Sequence, residues 1–196
     1  MRVEPIRNND TVRQITDALR EDQTEAGRRR YLMWVTGIYL GRRISDTLKL
    51  KVGDVYRREK LTIVEKKTGK PIDLYIPRKL QQIYRERLAG RDPEEPLLIS
   101  PAKTRISGKP KPISRRTAYR DIQSIKDLAG FPEEFKMGTH TMRKTFGYRY
   151  YQKTKDIAGL MKLYNHSKEE ITQIYIGLAA DEMKESFHVV DGMYDD

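Results

Sequence analysis

Apolar side chains recur at three- and four-residue intervals up to about residue 50, switch to alternation near residue 61, and return to helical spacing from residue 78. In the first stretch, Asp10 or Thr11 is placed to cap a helix running to about Arg20. A second helix is predicted from Thr24 to Leu40, with Leu32, Val35 and Ile38 on one side and Trp34 in the core. A third, short helix begins near Ser45 and carries Leu48 and Leu50 inward before Gly53-Asp54 turns the chain.

Leu61 to Val64 is β-prone, Lys67-Thr68-Gly69-Lys70 supplies a turn, and Ile72, Leu74 and Ile76 alternate with polar neighbours, which predicts a small antiparallel sheet. Arg78 to Ala89 reads as helix, stopped by Gly90. Leu97-Leu98-Ile99 is a brief apolar stretch, and residues 101–112 form a loop rich in Lys, Arg, Pro and Gly. Ser114 then caps a helix in which Ala118, Ile122, Ile125 and Ala129 face inward until Gly130 ends it. The remainder is helical. The expected class is α+β, mostly α, with the sheet inserted near residues 54–77. No internal linker is long enough to divide the chain, so one domain is expected over residues 1–177, followed by a segment of different charge at 178–196.

Charge narrows the partner. The 196 residues hold 39 Lys and Arg against 28 Asp and Glu, a net of +11. Six acids and one lysine fall after Gly177, so that end carries −5 and the body before it +16. Such a body suits a polyanion, with nucleic acid the leading partner. The absence of cysteine excludes disulfides and thiolate metal sites and accords with a reducing cytoplasm. Nothing reads as a signal peptide or a membrane span.

Candidate chemistry concentrates between Gly138 and Gly177. His140 and Arg143 are three apart in a segment of helical composition, so they share a face and can address one anion. His166 follows, and Ser167-Lys168-Glu169-Glu170 has the form of a capping box, which predicts a helix starting just after His166 with Tyr175 about two turns along it. Arg42 and Arg43 stand at another helix start, where backbone donors favour an anion. Singly, each has a bland reading: a solubilising arginine, a satisfied helical histidine, a boundary tyrosine among 12. No metal cage and no cofactor site are visible.

Jointly they form an ordered pattern: Gly41-x-Arg43-Ile44-Ser45-Asp46-x-Leu48-x-Leu50, then Lys67-Thr68-Gly69, then His140-x-x-Arg143-Lys144-Thr145-Phe146, then His166-Ser167 with Tyr175 nine residues on. This pattern resembles the catalytic domain of the tyrosine recombinase family, the phage integrases and related site-specific recombinases, from about residue 10 to 177. The resemblance implies a helical catalytic domain with a small sheet bearing the lysine. It also implies that Arg43 and Arg143 hold the scissile phosphate, His140 takes or shares the proton of the nucleophile, and His166 hydrogen-bonds the phosphate. Lys67 would protonate the leaving oxygen, and Tyr175 would attack to give a 3′-phosphotyrosyl link. The implied partners are double-stranded DNA at a specific site and further copies of the chain in a tetrameric synapse, with the acidic segment docking on a neighbouring protomer.

The sequence departs from the family at His166, which is usually preceded by glycine and here follows Tyr164-Asn165. Lys66 adjoins Lys67, and a one-residue slip of the hairpin exchanges the faces they occupy. Family members commonly also carry an amino-terminal domain that clamps DNA, and none is expected here. Two alternatives stand beside recombination: a non-catalytic DNA-binding regulator that keeps the fold, and a type IB topoisomerase-like enzyme without site choice.

Overall fold

The computed structural model describes residues 3–65, 69–100 and 108–178. Its elements follow the predicted order: α1 (Asn9–Glu21), α2 (Glu25–Leu40), α3 (Ile44–Thr47), α4 (Val52–Val55), β1 (Lys60–Val64), β2 (Pro71–Tyr75), α5 (Arg78–Arg87), α6 (Arg115–Leu128), α7 (Thr141–Thr154), α8 (Ile157–Tyr164) and α9 (Glu169–Ile176). Among the described residues the fold is helical with one two-stranded antiparallel sheet.

Side-chain caps explain several helix starts. Thr24 Oγ1 accepts from Gly27 N at 3.0 Å, and Ser114 Oγ accepts from Thr117 N at the same distance. The first cap differs from expectation. Asn8, not Asp10 or Thr11, accepts from Asp10 N at 2.7 Å, so α1 begins earlier and Asp10 enters its first turn, where a carboxylate complements the helix dipole. Gly53-Asp54 lies within the single helical turn α4, closed by Asp54 accepting from Lys51 N at 2.8 Å.

α2 is the central strut. Its Tyr31, Leu32, Met33, Trp34 and Val35 are all buried, and α1, α5, α6 and α7 pack around it. Trp34 donates from Nε1 to Thr16 Oγ1 at 2.9 Å, which satisfies the indole inside the core. Arg29 forks onto Asp121 at 2.8 and 2.9 Å and ties α6 to α2. α7 approaches α2 very closely: a Cβ on Gly37 would lie 2.5 Å from Met142 Sδ and 2.8 Å from Met142 Cβ.

In the sheet Leu61 pairs with Leu74 and Ile63 with Ile72, and Leu61, Ile63 and Leu74 are buried. The inward parity of β1 continues to Glu65, which is fully buried. Lys66 and Lys67 lie outside the described residues, as do residues 101–107 and 179–196, which include most of the acidic end. Among the described residues no helix is long and apolar enough to cross a membrane.

Gly37→Ala should destabilise the chain by about 1–3 kcal/mol through overpacking against Met142. The measurement is the urea midpoint at unchanged slope, and adding Met142→Ala should give a combined loss smaller than the sum of the two single losses.

Candidate active site

The site is built where the C-terminal end of α2, the start of α7 and the α8–α9 corner meet. Gly41 ends α2 with φ +61, and a Cβ there would lie 2.3 Å from the Phe146 ring, so glycine is required by both torsion and space. The chain leaves this turn as Arg42 and Arg43.

These two arginines have different fates. Arg42 is buried, with Nη1 donating to Leu163 O and Nη2 to Glu65 Oε1. Of the two arginines at this helix start, Arg42 therefore spends both terminal nitrogens on the interior. Arg43 keeps 18% of its side chain exposed and donates from Nη1 to the same Glu65 Oε1 at 2.6 Å.

Arg143 enters from the first turn of α7 and is almost wholly buried. It donates from Nη1 to Gly41 O at 3.1 Å and from Nη2 to Tyr164 O at 3.2 Å. Its guanidinium lies 3.9 Å from the centroid of the Tyr164 ring and 5.8 Å from that of Tyr175. Tyr164, also buried, donates its hydroxyl to Arg143 O.

His140 is the N-cap residue of α7 and faces solvent. Its Nδ1 stands 2.9 Å from the Tyr175 hydroxyl. Burial by its surroundings, and then the positive charges of Arg143, Lys144, Arg43 and Arg115, press the imidazole pKa below its ordinary value. Its ring is therefore neutral at neutral pH and able to accept a proton.

The α8–α9 corner holds the other two groups. Asn165 closes α8 in the left-handed conformation, φ 53 and ψ 48. That torsion is why glycine suits the place, and asparagine is among the residues that tolerate it. The capping box does not form. Ser167 lies outside α9, Lys168 is the N-cap residue, and no side chain caps the helix. The chain is still closing α8 at His166, whose N–H donates to Met161 O at 3.0 Å, so α9 starts only at Glu169 with two acids in its first turn. The His166 ring then meets Thr172 Oγ1 through Nδ1 at 3.0 Å.

Tyr175 projects from α9 into this enclosure. The rings of His166 and Tyr164 contact it edge-on with centroids 5.5 and 5.6 Å away, and Lys144 Nζ stands 5.2 Å from its centroid. Burial raises the phenol pKa, against the lowering charge and hydrogen bonding of Arg143 and the charge of Arg43. The resting hydroxyl therefore keeps its proton while sitting against a neutral imidazole and beside two guanidinium groups.

The structure thus brings Arg43, His140, Arg143, His166 and Tyr175 into one locus, while Lys67 lies outside the described residues. Sequence reading missed Glu65, Asn165 and Tyr164 as parts of this locus. Glu65 had a legible signal: an acid at the inward position of a strand that already buries Leu61 and Ile63. Tyr164 had none, because its role depends on how α8 meets α7, and the bond from Asn165 to Glu65 joins residues far apart in the chain.

A family model described as the phage integrase family matches residues 7–182. The probable integrase/recombinase YoeC of Bacillus subtilis is 37% identical over 191 residues, covering 97% of this chain and 98% of YoeC. The crystal structure of XerA recombinase superposes with a TM-score of 0.70 at 19% identity, over 96% of this chain and 65% of that one. A lambda integrase tetramer bound to a Holliday junction gives 0.65 at 16% identity, over 89% and 48%. The chain thus spans nearly all of YoeC and about half to two thirds of the two solved chains, which share its fold.

The depressed His140 pKa is checkable without DNA. In an NMR titration the His140 ring should protonate below the ordinary value of about 6.5. Lys144→Gln, which removes one of the repelling charges, should move it upward. Since the unfolded chain binds the proton first, this group leaves stability intact above about pH 6.5 and lowers it as pH falls through the folded value.

Proposed function

The chain belongs to the phage integrase family, and on that premise we propose that it cuts and rejoins double-stranded DNA at specific sites through a covalent link to Tyr175. The observation that carries this reading is the 2.9 Å contact between the Tyr175 hydroxyl and His140 Nδ1, with Arg143 and Arg43 close enough to act on the phenol.

A phenol with an ordinary pKa of about 10, raised further here, is a poor nucleophile until its proton has a destination. Nδ1 of neutral His140 supplies it. As Tyr175 Oη bonds to phosphorus, its proton passes to His140, and negative charge builds on the phosphoryl oxygens. Arg43 would take that charge from the solvent side and Arg143 from beneath the tyrosine. His166, with Nδ1 engaged by Thr172, would meet the phosphate through Nε2. Preorganised donors of this kind are worth a few kcal/mol each to the transition state. The phosphorus–O5′ bond breaks, Lys67 gives the leaving oxygen a proton, and the products are a 3′-phosphotyrosine and a 5′-hydroxyl. The new ester retains the energy of the old one, so a second 5′-hydroxyl can reverse the step without ATP.

The nucleophile and its acceptor belong to one chain, so attack is proposed to occur in cis. Assembly is proposed as a multimer on DNA, with the acidic segment from residue 178 docking on a neighbouring protomer. The place of action is proposed as the cytoplasm, where chromosomal DNA lies. A DNA-binding regulator would have no use for an enclosed tyrosine in contact with an imidazole, which favours catalysis over that alternative. A topoisomerase-like activity would show as relaxation of any supercoiled plasmid.

The test begins by selecting a bound site from a random duplex library and building it into a nicked suicide substrate. The wild-type chain should give an adduct on denaturing electrophoresis. Tyr175→Phe should bind the site and give none, and mixing it with His140→Ala should not restore the adduct, because each chain lacks one half of a cis pair. An adduct from Tyr175→Phe, or from the mixture alone, would contradict the assignment.

Lys67→Ala should cleave ordinary DNA very slowly and recover most of its rate when the 5′-bridging oxygen is replaced by sulfur, which departs without a proton. Arg43→Ala and Arg143→Ala should gain much less. Rescue of Lys66→Ala in place of Lys67→Ala would move the acid by one residue.

A further inference from the structure

Glu65 is a fully buried carboxylate in a basic domain, and the chemistry proposed above does not use it. A buried charge persists only when its desolvation is offset by partners, and among the described residues Glu65 bonds two adjacent arginines and an asparagine from a distant segment. Oε1 accepts from Arg42 and, at 2.6 Å, from Arg43, while Oε2 accepts from Asn165 Nδ2 at 3.4 Å. These partners differ in what else they can do. Arg42 is as buried as Glu65 and spends its other terminal nitrogen on Leu163 O. It matches the carboxylate charge. Arg43 adds a second cation to the same oxygen and is the one of these two guanidinium groups that reaches the surface.

Geometry gives that arrangement a purpose. Arginine carries five N–H donors in a rigid plane, and one hydrogen bond to a fixed acceptor sets the orientation of the rest. Glu65 holds one Nη of Arg43 from within, while 18% of that side chain stays exposed to meet a ligand. Asn165 tethers the other carboxylate oxygen to the turn just before His166, so the same acid spans the Arg43 loop, the end of β1 and the histidine corner. We propose that Glu65 is a positioning residue that holds Arg43, through a carboxylate shared with Arg42 and Asn165, in the orientation needed to bind the scissile phosphate. This role presupposes that Tyr175 cleaves DNA.

Two variants test it. Glu65→Gln keeps the shape and removes the charge, and Asn165→Gly removes only the tether, since glycine takes the left-handed torsion readily. On the selected site, Glu65→Gln should lower the single-turnover rate of adduct formation by about 30- to 100-fold, the scale of a misplaced catalytic group. DNA affinity should stay within about threefold, since only one of many phosphate contacts is misaligned. Asn165→Gly should lose about 3- to 10-fold, the worth of one hydrogen bond. In an Arg43→Ala background Glu65→Gln should cost little more, because the residue it positions is gone. A merely stabilising acid would give losses that add.

One readout is independent of cleavage. Side-chain NMR of the DNA-free chain should show hindered rotation of the Arg43 guanidinium in wild type and faster rotation in Glu65→Gln. If Glu65→Gln does not fold, Asn165→Gly and the wild-type spectrum decide. Freely rotating Arg43 in wild type, full cleavage by Glu65→Gln, or additive losses with Arg43→Ala would each overturn the role of Glu65 alone. A wild-type chain that holds Arg43 rigidly yet forms no adduct would instead overturn the proposed cleavage, and the positioning role with it.

Discussion

The interaction on which the site depends is the burial of Arg143. Removing a guanidinium from water costs several kcal/mol unless its donors are met, and here they are met by two main-chain carbonyls, Gly41 O and Tyr164 O, and by the face of Tyr164. Those carbonyls lie at the ends of α2 and α8, and Arg143 itself belongs to α7. One side chain therefore fixes three helix termini relative to each other. Its cost sets the tolerance: a displacement of either terminus leaves a charged donor without a partner, so the corner must close in one arrangement. The close α2–α7 approach at Gly37 serves the same end by bringing Arg143 to the carbonyl that α2 leaves open.

Around that anchor the charges are graded by depth. Arg143 and Arg42 are interior, Arg43 lies at the boundary, and His140 is at the surface. The interior pair need fixed acceptors and have them in carbonyls and Glu65. The outer groups keep capacity for a ligand. The tyrosine sits between the two layers, so the field that holds the site together also lowers the cost of charge on its oxygen. Structure and chemistry use the same cations, which is why a site with this much positive charge still packs.

Much of this was legible in sequence because it is local. Alternation gave the hairpin, helical spacing gave α2 and α6, and a cap gave the start of α6 at Ser114. The readings that failed were those in which a local signal met a tertiary competitor. Ser167-Lys168-Glu169-Glu170 has the composition of a capping box, but closing α8 through Asn165 and His166 takes the backbone that the box would need. Gly53-Asp54 looks like a turn and is a helical turn. Local composition alone does not separate Arg42 from Arg43; the bond from Arg42 to Leu163 O, inside the fold, makes one an interior and the other a surface residue. The roles of Tyr164 and Asn165 follow from contacts between residues far apart in the chain, which no periodicity records.

Among the described residues the buried apolar side chains fall into two groups that meet at Leu163. The larger surrounds α2 and takes in the hairpin, α5 and α6, while a small one gathers Leu160, Tyr164, Ile176 and Leu178 under α8 and α9, with Phe146 and Tyr175 against it. Local stability follows local burial, so the free energy that keeps α8–α9 seated is set by the smaller group and by the bonds of Arg143, Arg42 and Glu65 to Tyr164, Leu163 and Asn165. Arg43 stands at the junction of the two groups, because Glu65, which fastens it, and Arg42 also bond Asn165 and Leu163 O of the α8–α9 corner. An opening of that corner would withdraw the nucleophile and also release the Asn165 and Leu163 contacts of the network that holds Arg43, so that seating the tyrosine and orienting the outer arginine are one event.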